Sequence, residues 1–248
     1  MEKSKARCSW AWIVVGLLIM MLTYIALAYG EKVFVGCDGS FTVYLAETDA
    51  DVEQLNFQPI ITLSNIPRGI THDPKTGHIY VTESSTRILR ANQDGSGVET
   101  VLDLPSSPGR NLRGIYLMNE QIFWVDTSTD AINRASVNGS DRTVIISNAD
   151  DGRGITGHDS SIYWADKKNN TVQTAGIDGS GVRTVISELV NAYAVTIDNS
   201  VTDGESLISV GNEFQRLTPA TGKRRSPATL MDLSARRRVV SLLDLRVL

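Results

Sequence analysis

Glu47, Glu83, Asp126 and Asp166 are the acidic side chains whose recurrence could do chemistry. Carboxylates that converge supply the oxygen ligands a hard cation such as Ca2+ takes. A cation held that way can polarise an ester or lactone carbonyl for attack by water. His72, His78 and His158 could add a base. The spacing argues against both uses. Each acid closes a short aromatic or β-branched run, Val43–Glu47, Tyr80–Glu83, Phe123–Asp126 and Tyr163–Asp166. A residue that returns once per repeat serves each repeat rather than one shared centre. The histidines scatter over unrelated positions, and no nucleophile, base and orienting group can be named together. No catalytic residue, metal ligand or cofactor is assigned.

The elements that must position these acids announce themselves as a repeat. Three landmarks step together along the chain. They are Arg-Gly-Ile at Arg68, Arg113 and Arg153, the aromatic-acid run, and a turn at Asp94-Gly95-Ser96, Asn138-Gly139-Ser140 and Asp178-Gly179-Ser180. The aromatic-acid runs open at Ile79, Ile122 and Ile162, a step of about 40 residues. Inside one step the apolar residues alternate, and polar turns divide the stretch into four short strands. Asn-Gly and Asp-Gly between alternating runs predict type I′ hairpin turns. Four antiparallel strands per step describe a β-propeller blade, which must stack on its neighbours to bury both faces.

A weaker first blade is expected where Val43–Glu47 aligns with Ile162–Asp166 and Val52-Glu53-Gln54 with the strand after it. A partial fifth is expected after Ser187, because Tyr193-Ala194-Val195 aligns with Arg153-Gly154-Ile155. About four to five blades are thus visible, an apparently incomplete propeller of the six-bladed type over residues 31–217.

Ile162-Tyr163-Trp164-Ala165-Asp166, and Ile122-Phe123-Trp124-Val125-Asp126 followed by Arg134-Ala135 and Gly139-Ser140, resemble the YWTD (class B) repeats of the low-density lipoprotein receptor family. The resemblance implies an extracellular propeller that binds proteins and catalyses nothing. It also implies that Tyr80, Phe123, Trp124, Tyr163 and Trp164 pack between blades, and that Glu83, Asp126 and Asp166 hydrogen-bond the next blade. Two alternatives stand beside it. One is a propeller hydrolase similar to gluconolactonase and paraoxonase, with Ca2+ in the channel; the other is a structural fragment.

Strand order assigns the partner face. In a four-strand meander the 1–2 and 3–4 turns share one face, and the 2–3 loops share the other with the links between blades. Arg68, Arg113 and Arg153 precede each first strand, so they belong with the 2–3 loops. Each either braces its own blade junction or joins a ring that meets an acidic or amide-rich protein partner.

The 248 residues are 42% hydrophobic with a net charge of −4, and no basic stripe suggests nucleic acid. Lys3, Lys5 and Arg7 precede the apolar run Trp10–Tyr29, which contains Ala26-Leu27-Ala28. Residues 1–30 therefore read as a signal peptide or a signal-anchor transmembrane helix. Either fate sends the propeller to the secretory pathway, secreted or membrane-held with its propeller in the lumen or outside the cell. Membrane contact is then confined to an uncleaved amino end. Exposure there makes Asn138-Gly139-Ser140 and Asn169-Asn170-Thr171 glycosylation sequons. Cys8 and Cys37 lie on opposite sides of the apolar run and form no disulfide framework. Residues 218–248 are a divergent basic tail without repeat landmarks.

Overall fold

The computed structural model describes residues 26–29, 32–47, 55–106, 109–198, 206–210 and 213–217. Residues 1–25, the tail 218–248 and Val52-Glu53-Gln54 lie outside them. Every regular element described is a strand, and no described helix is long and apolar enough to cross a membrane.

Four sheets have four strands each. The first holds β1 (Ala26–Tyr29), β2 (Lys32–Cys37), β3 (Thr42–Glu47) and β4 (Gln58–Thr62). The second holds β5 (Pro67–His72), β6 (His78–Glu83), β7 (Arg87–Asn92) and β8 (Glu99–Asp103). In the third are β9 (Leu112–Met118), β10 (Gln121–Asp126), β11 (Ala131–Ser136) and β12 (Thr143–Ile146). In the fourth are β13 (Gly152–His158), β14 (Ser161–Asp166), β15 (Thr171–Gly176) and β16 (Arg183–Ile186). A three-stranded sheet follows, with β17 (Val195–Asp198), β18 (Ser206–Val210) and β19 (Glu213–Leu217). Each sheet is a simple meander, the blade of a β-propeller. Among the described residues, 26–152 form one compact unit and 153–217 a second. Ala26–Tyr29 pairs along β2, so the end of the apolar run expected as signal or anchor sits in a strand.

In the first unit the strand alternation becomes blade stacking. From β6, Ile79 and Val81 turn back to join Phe34, Val43, Ile61 and Leu63 of the preceding blade. Tyr80, between them, turns forward to meet Leu112, Ile115, Ile122 and Trp124 of the following blade. Side chains of opposite parity thus serve two separate interfaces, and burying both faces is the chief stabilisation a sheet of this kind has. In the second unit Tyr163, with Ala165 and Val172 of its own sheet, packs in the same forward sense on Leu189, Ala192 and Val195.

Two sequence expectations need correcting. The first concerns the register of the first blade. A bulge recurs between strands three and four, at Val43/Tyr44, Ile88/Leu89, Ile132/Asn133 and Val172/Gln173. Val43–Glu47 is therefore a third strand, and the aromatic-acid strand is β2. Phe34 stands where Phe123 stands, and Cys37 pairs with Thr42 as Asp126 pairs with Ala131. Glu47 leaves the set of repeated acids, and a buried cysteine occupies its place. The slip of one whole strand preserved the alternation, so apolar pattern alone could not expose it.

The second correction concerns the turns. In the Asp-Gly and Asn-Gly pairs of the 3–4 hairpins the glycine has positive φ (Gly95 83°, Gly139 86°, Gly179 86°) and Asp94, Asn138 and Asp178 do not; the second positive φ falls two residues on, at Gly97, Asp141 and Gly181. Gly95 donates to Asn92 O at 2.9 Å while Asn92 N donates to Ser96 O at 2.9 Å, a longer loop closed by a bulged glycine. The aspartate or asparagine accepts from the serine N–H two residues on, at 2.9–3.0 Å. Two consecutive positive φ values occur instead at Asn119 and Glu120, in a 1–2 turn.

Candidate partner-binding face

Main-chain bonds confirm the expected sorting of turns. The 3–4 hairpin meets the 1–2 turn through Val137 N to Glu120 O and Ile177 N to Ser160 O. On the opposite side the 2–3 loops bond the inter-blade links, through Ser84 N to Ile66 O, Thr127 N to Asn111 O and Leu189 N to Asn170 O.

At this second face the repeated acids are consumed by the scaffold. Glu83 is fully buried; its Oε1 accepts from Ser64 N at 3.0 Å and Asn65 N at 3.2 Å, and its Oε2 from Arg87 Nε at 2.8 Å. Asp126 accepts from Ser128 N at 3.0 Å and pairs with Arg110 at 3.0 Å. Asp166 holds the Asn169 N–H at 2.9 Å, Asn169 Nδ2 at 2.8 Å and Gln173 Nε2 at 2.9 Å. Glu83 and Asp126 thus tie down the link entering their own blade, and Asp166 its own 2–3 loop. The expected bond to the next blade is replaced because the strand ends at its acid, beside the link that enters the same blade. Removing such a partner would leave an uncompensated buried charge.

The Arg-Gly-Ile landmark separates into three roles. Ile70, Ile115 and Ile155 are buried. The glycine lets successive first strands touch backbone to backbone: a Cβ on Gly69 would lie 2.6 Å from Arg113 O, and one on Gly154 2.8 Å from Ala194 Cα. Thr82 Oγ1 donates to Arg113 O at 2.6 Å and Gly154 N to Tyr193 O at 2.8 Å, closing the same junctions. The arginines remain half-buried. Arg68 and Arg113 sit in bulges where the first strand shifts register against the second, a feature that re-aims a side chain. Arg153 lies 5.1 Å from the Tyr193 ring centre, and Lys167 Nζ of the 2–3 loop 5.0 Å from it. That cation–π pair braces the junction. Sequence reasoning gave no role to Lys167 or Arg110, which no repeat landmark marks, and read Tyr193 only as the fifth-blade counterpart of Arg153.

Residues 120–156 match the low-density lipoprotein receptor repeat class B. The chain carries a class B repeat. The repeat runs from β10 to the Arg153-Gly154-Ile155 stretch of β13, so the sequence unit is offset from the blade by one strand. The protein is similar to the crystal structure of a nidogen/laminin complex, with a TM-score of 0.65 and 20% identity over 78% of this chain and 76% of that one. It is also similar to a catalytically inactive virginiamycin B lyase from Staphylococcus aureus solved with quinupristin. There the TM-score is 0.62 at 21% identity, over 81% of this chain and 67% of that one. A streptogramin B lyase gives 0.61 at 20% identity, over 81% and 66%. At such identities the likenesses show the fold.

Trp124 of the class B repeat is fully buried, as are Phe123 and, one blade on, Trp164. Among the described residues no three His, Cys, Asp or Glu side chains are grouped to hold a metal ion. Both sequon asparagines are exposed: Asn138 in a 3–4 turn, and Asn169 in a 2–3 loop with its Nδ2 on Asp166.

Proposed function

We propose that the protein is a non-catalytic binding module of the secretory pathway that captures an acidic or amide-rich segment of a protein partner through Arg68 and Arg113 of the first unit, Arg153 holding the corresponding place in the second. The observation that carries this reading is the division of labour at each blade entrance. The acid is buried and bonded within the scaffold, while the arginine keeps part of its surface in water. Guanidinium forks suit paired contacts at an interface, and 2–3 loops offer reach that tight turns lack. The class B repeat and the likeness to a nidogen/laminin complex support a module of this kind. The alternative, Ca2+-dependent hydrolysis of a lactone or ester, has weaker support because Glu83, Asp126 and Asp166 already serve scaffold donors.

The double variant Arg68→Ala/Arg113→Ala tests it. Capture of partner from extracellular fluid is expected to weaken at least tenfold, about 1.4 kcal/mol, with the unfolding midpoint unchanged. Turnover of lactone or ester substrates that a chelator abolishes, without arginine-dependent capture, would establish the hydrolase instead. Passage through the secretory pathway has its own readout. Endoglycosidase is expected to shift the mobility of the expressed protein, and Asn138→Gln and Asn169→Gln each to remove one step. A mobility that enzyme treatment leaves unchanged, in protein that protease digests in sealed microsomes, contradicts lumenal exposure.

A further inference from the structure

On the face of the 1–2 and 3–4 turns, three polar side chains cross the junction of the first two blades. Lys32 Nζ, from β2, donates to Gln93 Oε1 at 2.9 Å. Gln93 Nε2, just past β7, lies 2.6 Å from His72 Nε2 at the end of β5. We propose that this chain is a proton-operated latch, holding the first blade to the second only while His72 is neutral.

Donor and acceptor accounting carries the argument. An ammonium can only donate, so Lys32 claims the amide oxygen of Gln93 and leaves its NH2 facing His72. His72 Nε2 must then offer a lone pair, which only a neutral ring with its proton on Nδ1 can do. Protonation sets N–H against N–H. Turning the amide over satisfies the imidazolium but confronts Lys32 with the same conflict, so one of the two bonds is lost either way. His72 is 7% exposed, and an unmade bond at so dry a site carries its full desolvation cost.

The surrounding charges are Asp73 beside His72, Lys32 across the junction, and Asp94 in the 3–4 turn, which senses Lys32. Burial first, and Lys32 in addition, push the imidazole below its ordinary value, while Asp73 pulls it up. A lowered folded value means that the unfolded or opened state binds the extra proton. The latch therefore contributes fully above the ordinary value of about 6.5 and is lost as pH falls below it.

Imidazole proton resonances of the whole protein test this, the three histidines being assigned with His78→Gln and His158→Gln. His72 is expected to titrate below about 6.5. Lys32→Met is expected to move it upward, because the amide is then free to present its oxygen to the charged ring. Amide exchange along β2 and β5, divided by the intrinsic base-catalysed rate at each pH, should quicken by up to about tenfold per pH unit below that value. In His72→Gln, which keeps an acceptor but cannot be charged, that acceleration should vanish. An ordinary or raised His72 value in the parent, no movement with Lys32→Met, or acid acceleration that persists in His72→Gln would each overturn the latch.

Discussion

Replacing Trp124 by alanine is expected to lower the unfolding free energy by about 3–5 kcal/mol, as emptied aromatic sites in cores do. Trp124 projects from β10 onto Tyr80, Ile88 and Leu104 of the preceding blade and its outgoing link. Against a total stability of about 5–15 kcal/mol the loss is large, so the yield of folded protein should fall with it. Trp124→Phe sharpens the test. The indole Nε1 is buried without a hydrogen-bond partner, so the smaller ring removes an orphaned donor together with some volume. Its cost should be well under that of alanine. Urea unfolding of the two variants measures both losses, and equal stability of Trp124→Ala and the parent would refute the packing role. Trp164, equally buried in the fourth blade, is expected to follow the same order.

The second large effect is expected at Gly95. It has a φ of +83°, and a Cβ there would lie 2.1 Å from Ile60 O and 2.7 Å from Ile60 C. The 3–4 hairpin of the second blade therefore rests on the outermost strand of the first, backbone against backbone. Gly95→Ala should cost about 1–2 kcal/mol for the left-handed conformation and about 1–3 kcal/mol more for the overlap. Gly77→Ala separates the two contributions. Gly77 has a φ of +74° but meets nothing closer than Gln93 Nε2 at 3.7 Å, so it should show the conformational cost alone. If thermal melts put the two variants level, the hairpin tip does not lean on the neighbouring blade as described.

The shared geometry of Gly95 and Gly139 also shows why the turn was misjudged from its residues. Asp-Gly and Asn-Gly demand positive φ somewhere, and the dipeptide is compatible with more than one hairpin loop. What selected the bulged loop here was the neighbouring blade: a Cβ on Gly139 would come within 2.3 Å of Val101 O. A contact between residues distant in sequence leaves no local signature.

Repetition by itself determined the class of fold. Once Arg-Gly-Ile, the aromatic-acid run and the Gly-Ser turn step together by about 40 residues, four strands per step and stacked sheets follow, because no single blade can bury its apolar faces. The expectation that Glu83, Asp126 and Asp166 serve the scaffold and that the arginines lie with the 2–3 loops came from the same repetition. Tertiary structure alone decided the register of the first blade, where Cys37 stands in the acid's place, and the link each acid ties down. It alone brought Lys32, Gln93 and His72 into one line across two blades, and Arg153 and Lys167 onto one ring. The physical reason is the range of the forces involved. Alternation and turn propensity act over a few neighbouring residues and are written into the sequence as periods. Hydrogen bonds, ion pairs and close approaches between blades depend on distances that exist only after the sheets have stacked.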